Sequence, residues 1–148
     1  MEYFMKEKVK SQDKSFLKKK ISKDHFTIEN KEEYAGCHIL LDLWGVEFNY
    51  SIKSLKNIIT NSAQIAGATV LHIHLHRFGK EQGFSGVAVL AESHISIHTW
   101  PERDYVAFDI FMCGDTNPQL AAKYLITHFN PKKKLIKIIK RGVTKLVK

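Results

Sequence analysis

Residues 85–102 read S-G-V-A-V-L-A-E-S-H-I-S-I-H-T-W-P-E, and this stretch decides the fold. Gly86 to Ala91 is apolar on both faces, the mark of a strand in the middle of a sheet. It runs straight into Glu92-Ser93-His94, after which Ile95, Ile97, Thr99 and Trp100 interleave with Ser96 and His98, as in a half-buried strand. Polar, reactive side chains therefore crowd where one buried strand hands over to the next. A hydroxyl at Ser93 and an imidazole at His98, close together on rigid elements, suggest nucleophile chemistry. Spacing alone does not decide it. Ser and His five residues apart also describe a polar turn followed by a strand histidine, and taken singly the residues favour that plainer reading.

Upstream, Thr69 to Phe78 (T-V-L-H-I-H-L-H-R-F) alternates. Leu71, Ile73 and Leu75 point one way, and Val70, His72, His74, His76 and Phe78 the other. Three histidines on one face raise the question of a metal. Side chains at i, i+2 and i+4 stand in a row about 7 Å apart, however, which one ion does not easily bridge, and no Cys or carboxylate lies nearby in sequence. No metal is expected; a polar sheet face that packs on a partner or lines a site fits better. Further upstream, Cys37 to Leu43 reads as the first strand. Ser51 is an N-cap for a helix through Ile65, with Ile52, Leu55, Ile58, Ile59 and Ala63 on one face and Gly67 at the stop.

Downstream, Pro101 ends the alternating run. Tyr105 to Cys113 is a further strand, with Asp109 and Cys113 on one face. Gly114-Asp115 breaks it, and Asn117-Pro118 caps and opens a helix to about Phe129, ended by Asn130-Pro131. Leu135 to Lys140 is the last strand, an edge strand guarded by lysines. The resulting order is β-α-β-β-β-α-β, an α+β chain folded as a two-layer α/β sandwich. Two helices cover one face of the sheet. The other, with its histidines and Phe78, is left open, and a mixed face of that size suggests that sheets pair in a dimer.

Charge is unevenly placed: residues 131–148 carry a net +8 and no acid, as large as the net charge of the whole chain. The tail lacks the aromatic interleaving of a single-strand nucleic-acid binder, and its lysines flank Leu135, Ile136, Ile138 and Ile139 as on a strand edge, so no nucleic-acid partner is expected. Residues 1–33 are lysine-rich with poor periodicity and read as a basic flexible arm; residues 34–148 form the one compact domain. Cys37 and Cys113 make no disulfide framework, which suits a reducing cytoplasm. No apolar run reaches the roughly 18 residues of a membrane span, and the N-terminus lacks the apolar core of a signal peptide, so no membrane partner is expected.

The full string A-E-S-H-I-S-I-H-T-W-P-E, followed by Y-V-A-F-D-I-F-M-C-G-D, closely resembles the small prokaryotic S-adenosylmethionine decarboxylase proenzymes, a pyruvoyl-dependent decarboxylase family. The likeness runs from about Gly36 to Gly142 and is densest between His76 and Asp115. It implies self-cleavage between Glu92 and Ser93. Ser93 attacks the Glu92 carbonyl and ends as the pyruvoyl group, the cofactor that forms a Schiff base with the substrate amine. By the same resemblance, His98 removes the α-proton during processing, Ser85 assists that step, and Cys113 is the proton donor in decarboxylation. A thiol is mostly protonated at neutral pH and can play that part. Phe78 aligns with an aromatic that stacks on adenine, and Glu102 with a carboxylate that holds the ribose hydroxyls.

The implied activity is decarboxylation of S-adenosylmethionine for spermidine biosynthesis, by a homodimer of processed protomers whose two active sites form near the paired sheets. Family members that act on arginine or ornithine offer an alternative in which Asp109 and Glu102 would receive a basic amino acid. A more distant alternative is an unprocessed binding paralogue, against which Ser85, Glu92, Ser93, His98 and Cys113 all stand intact. The chain departs from the family pattern in the additional arm, in a loop Gly79–Phe84 one residue longer, and in Met112 before Cys113. The last two bear on the substrate more than on processing.

Overall fold

The structure is a computed structural model that describes residues 25–79 and 82–146. Its main sheet has six strands: β3 (Gly36–Trp44), β4 (Val70–Arg77), β5 (Phe84–Leu90), β6 (Ser93–Trp100), β7 (Tyr105–Met112) and β8 (Lys133–Arg141). They lie in the order β4-β5-β6-β7-β3-β8, every neighbouring pair antiparallel. The alternation seen in the sequence sets the two faces. Ile39, Leu41, Leu43, Ala88, Leu90, Ile95, Ile97, Val106, Phe108, Ile110 and Met112 turn to the covered face and are buried. Gly86 on β5 is required by a close approach, since a Cβ there would collide with the His74 carbonyl and the Leu75 side chain of β4.

Helices α1 (Ile52–Ile65) and α2 (Pro118–Phe129) cover that face. Ser51 and Ser54 cap α1 reciprocally: each backbone N–H donates to the other's hydroxyl oxygen, at 2.9 and 3.0 Å. Leu55, Ile58, Ile59 and Ala63 form its buried stripe, and Gly67 takes φ +80° after its end. The Asn117 side chain caps α2, with Pro118 in the first turn, and Asn130 closes it in the left-handed region. Burying one such leucine contributes about 2 kcal/mol, so the helix stripes and the sheet's inner row supply most of the cohesion.

The two-layer α+β sandwich is as expected, with three refinements. Four strands, not the three of the expected order, separate the helices: β4, β5, β6 and β7, with β5 and β6 joined by the two-residue turn Ala91–Glu92. Leu71 does not face inward with Ile73 and Leu75. The register shifts between Val70 and His72, and Leu71 is 64% exposed. The third concerns the end of the segment read as a flexible arm. β1 (Thr27–Glu29) and β2 (Glu32–Tyr34) form a hairpin that pairs with β9 (Lys145–Leu146) as a second, three-stranded sheet. Residues 1–24 of the arm lie outside the described residues.

Candidate active site

The turn between β5 and β6 places the Glu92–Ser93 peptide at one end of the sheet. Ser93 has φ +133°, a backbone region that non-glycine residues rarely occupy. The Glu92 carbonyl accepts two hydrogen bonds, from the backbone N–H of Cys113 at 3.1 Å and from its thiol at 3.3 Å. The Glu92 carboxylate accepts from the Thr69 N–H at 2.8 Å, and the Ala91 N–H donates to the Thr69 carbonyl at 2.9 Å. The turn is thus pinned from the β4 side and the β7 side. The Ser93 hydroxyl lies 4.0 Å from the Cys113 sulfur. Cys113 stands one residue beyond β7, where the chain turns through Gly114 at φ +65°, and the Thr116 hydroxyl donates to its carbonyl at 2.8 Å.

The opposite end of the same hairpin holds a pocket of about 620 Å³ lined by Phe78, Gln82, Gly83, Phe84, Ser85, His98, Thr99, Trp100 and Glu102. Ser85 and His98 are register partners across β5 and β6, and Ser85 Oγ is 3.1 Å from His98 Nδ1. Phe78, 61% exposed, presents its ring at the pocket, and Glu102 reaches it from the 3₁₀ turn Pro101–Arg103. Four of the residues singled out in the sequence, Phe78, Ser85, His98 and Glu102, therefore gather here, while Glu92, Ser93 and Cys113 gather at the turn. Ser93 and His98 are not close together within one chain, contrary to the reading from spacing. Five extended residues separate them by about 17 Å along the strand. They also alternate to opposite faces, Ser93 in phase with buried Ile95 and Ile97, His98 in phase with Ser96 on the open face.

Sequence reasoning missed Trp100 and Thr99. Trp100 follows His98 by two residues, so strand periodicity alone could have placed it beside the pocket. The Thr99 hydroxyl accepts from the Phe84 N–H at 2.7 Å and fixes the pocket's floor.

Between the two ends runs the open face. Ser96 donates to Asp109 at 3.0 Å, and His38 Nε2 lies 3.5 Å from the same carboxylate. Burial lowers the His94 pKa, helped by the neighbouring His38 and partly offset by Asp109. Trp44, Tyr105 and Trp100 stack in a row across three strands, and the Tyr105 hydroxyl donates to Asp42. Burial, that hydrogen bond and the Asp42 and Asp109 charges push the Tyr105 phenol up to about 12. His72, His74 and His76 of β4 stand on this face in successive register positions, opposite Val89, Val87 and Ser85.

Residues 37–142 match the sequence model of the family described as S-adenosylmethionine decarboxylase. The chain belongs to the S-adenosylmethionine decarboxylase family. It is 42% identical over 111 residues to the S-adenosylmethionine decarboxylase proenzyme of Thermodesulfovibrio yellowstonii, covering 73% of this chain and 82% of the relative. The proenzyme of Carboxydothermus hydrogenoformans is 43% identical over 111 residues, covering 73% of this chain and 87% of that one. Among solved structures, the fold is similar to the crystal structure of the adenosylmethionine decarboxylase from Aquifex aeolicus. That match has a TM-score of 0.68 at 34% identity, over 76% of this chain and 94% of that chain. Both ends of the hairpin fall inside the segment matched to the S-adenosylmethionine decarboxylase family, whereas β1, β2 and β9 fall outside it. Among the described residues, no helix is long and apolar enough to cross a membrane.

Proposed function

We propose that the chain is a self-processing S-adenosylmethionine decarboxylase, cut between Glu92 and Ser93, that supplies decarboxylated S-adenosylmethionine for spermidine biosynthesis. The observation that carries this reading is the Glu92 carbonyl, held by two donors from Cys113 directly before a serine at φ +133°. Two donors on one carbonyl oxygen draw electron density from its carbon and stabilise the charge that attack develops. The unusual backbone at Ser93 stores strain that rearrangement relieves.

Processing follows from these contacts. Ser93 Oγ bonds to the Glu92 carbonyl carbon, the C–N bond breaks, and the hydroxyl proton passes to the freed amine, leaving an ester. Loss of the Ser93 α-proton to His98 breaks the Cβ–Oγ bond and frees residues 1–92 with a new carboxylate. Water hydrolyses the remaining enamine, releasing ammonia and leaving the pyruvoyl group at the head of residues 93–148. The residues fit this group: it is made from the Cα, Cβ and carbonyl of Ser93 itself, and the Cys113 sulfur lies 4.0 Å from the serine hydroxyl.

When formed, the pyruvoyl group supplies an electron sink for amino-acid decarboxylation. The chain's own residues do the rest. Cys113 returns a proton. Phe78 and Trp100 offer flat faces to the adenine, and Glu102 accepts from the ribose hydroxyls. Asp109 is engaged by Ser96 and does not line the pocket; among the described residues the lining offers one carboxylate, Glu102, and two exposed aromatic rings, which suits a nucleoside better than arginine or ornithine.

The separation of the two ends bears on assembly. His98 is about 17 Å along the strand from Ser93 in one chain, so the proton transfer requires a second copy. Packing two open faces with their β6 strands running oppositely would lay the turn of one chain beside the pocket of the other, giving two sites per homodimer.

The test is the intact mass of freshly purified protein under denaturing conditions. Two chains, 1–92 and 93–148, the second blocked by pyruvoyl, are expected, with carbon dioxide released from S-adenosylmethionine and not from arginine or ornithine. A single 17.0 kDa chain that stays uncut on incubation would overturn the reading.

A further inference from the structure

Cys113 and Gly114 present consecutive backbone N–H groups in opposite directions. The Cys113 N–H donates to the Glu92 carbonyl at 3.1 Å, and the Gly114 N–H donates to the His25 carbonyl at 3.0 Å. The Thr27 hydroxyl donates to the Gly114 carbonyl at 3.4 Å. His25 and Thr27 belong to the β1–β2 hairpin and its lead-in, which lie outside the segment matched to the family.

The hairpin is itself fastened to the far side of the sheet. Lys140 of β8 pairs with Glu32 at 2.8 Å and with Glu29 at 3.3 Å, and its ammonium sits over the Tyr34 ring. The Tyr34 hydroxyl donates to Glu29 at 3.0 Å, and the Thr144 N–H donates to the Glu33 carbonyl at 3.0 Å. A Gly114 turn at φ +65° gives this loop a backbone freedom that an external clamp removes.

We propose that the N-terminal hairpin is a positioning element for Cys113, in which His25 and Thr27 hold the Gly114 turn and thereby fix the Cys113 N–H and thiol on the Glu92 carbonyl. The proposal rests on the Glu92–Ser93 bond being the processing site. Within one chain its residues touch neither the reacting atoms nor Phe78, Trp100 and Glu102 of the pocket, which lie at the other end of the β5–β6 hairpin. Loosening the hairpin therefore slows self-cleavage and lowers kcat while leaving KM in place.

The test uses the full-length chain. Lys31 is exposed and sits in the hairpin turn at φ +68°, which proline cannot adopt and glycine adopts freely. Lys31→Pro is expected to slow processing about tenfold or more, followed by intact mass, and to speed hydrogen exchange at the Gly114 amide by a similar factor. Lys31→Gly should behave as the parent chain. Thr27→Val is expected to slow processing about threefold, and Thr27→Ser, which keeps the hydroxyl, to restore it. If Lys31→Pro fails to fold, the Thr27 pair decides. Parent-like processing in Lys31→Pro, or in Thr27→Val when that pair decides, overturns the proposal, as does unchanged Gly114 exchange in a folded Lys31→Pro chain. An uncut parent chain would sink the processing reading instead, and Gly114 exchange in that uncut chain would still report whether the hairpin holds the turn.

Discussion

The two ends of the β5–β6 hairpin are built by different means. At the turn, the Glu92–Ser93 peptide is gripped by the Cys113 N–H and thiol, donors one residue beyond the end of β7, and carries an unusual φ at Ser93. At the open end, Phe78, Trp100, His98 and Glu102 contribute exposed side chains around a wide pocket. The first arrangement suits a reaction that happens once, on the chain's own backbone, with no ligand to recognise. The second suits a ligand that comes and goes. Geometry therefore separates the peptide that is cut from the side chains that recognise the ligand, with Ser85 and His98 standing in the pocket while serving the cut, so substitutions at Phe78 or Glu102 should leave self-cleavage intact.

The largest expected effect is at the turn. Ser93→Ala removes the only hydroxyl able to attack the Glu92 carbonyl from the next residue, and the chain should remain a single 17.0 kDa species for days while keeping its fold. Cleavage in that variant would break the assignment. Next is His98→Ala, an exposed side chain whose loss should slow processing about 10²-fold at an unchanged melting temperature. Mixing it with a Ser93→Ala chain sharpens the comparison: if the two ends meet only across a pair of chains, heterodimers should recover a single competent site.

Smaller effects belong to the pocket. Phe78→Ala and Glu102→Gln should each raise KM for S-adenosylmethionine about tenfold with little change in the rate of self-cleavage, measured by carbon dioxide release and intact mass. A processing defect as large as the KM defect would show that the two ends are not separable.

The smallest effect is beside the pocket, at Tyr105, which stacks on Trp100. The Tyr105 phenol, raised to about 12, is neutral in the fold where an unfolded tyrosine ionises near 10. Its stabilising contribution is complete below pH 10 and is lost as pH rises toward 12, so Tyr105→Phe should flatten the alkaline limb of a denaturation profile.

Much of this molecule was legible in the sequence, and the exceptions have physical causes. Helix caps at Ser51 and Asn117 act on their own next turns, so local residue types foretell them. The alternation of 95–100 and 105–112 fixes which side chains are buried because strand periodicity is two. What misled was distance. Ser93 and His98 are near in sequence, but a strand is the most extended form the chain adopts, so proximity in number became separation in space. The β1–β2 hairpin escaped notice because its three-residue strands are polar and its third strand lies more than a hundred residues downstream. The bulge at Leu71 also carried no local signal, since a register slip depends on the partner strand.

The strand order has one more consequence. Residues 1–92 supply β3, β4 and β5 to the main sheet, residues 93–148 supply β6, β7 and β8, and β3 is threaded between β7 and β8. A break at 92–93 would thus be a nick in an interleaved fabric. Neither fragment could depart without stripping a central strand of both its neighbours, so the severed halves would stay together as one body, like a split protein that is never separated.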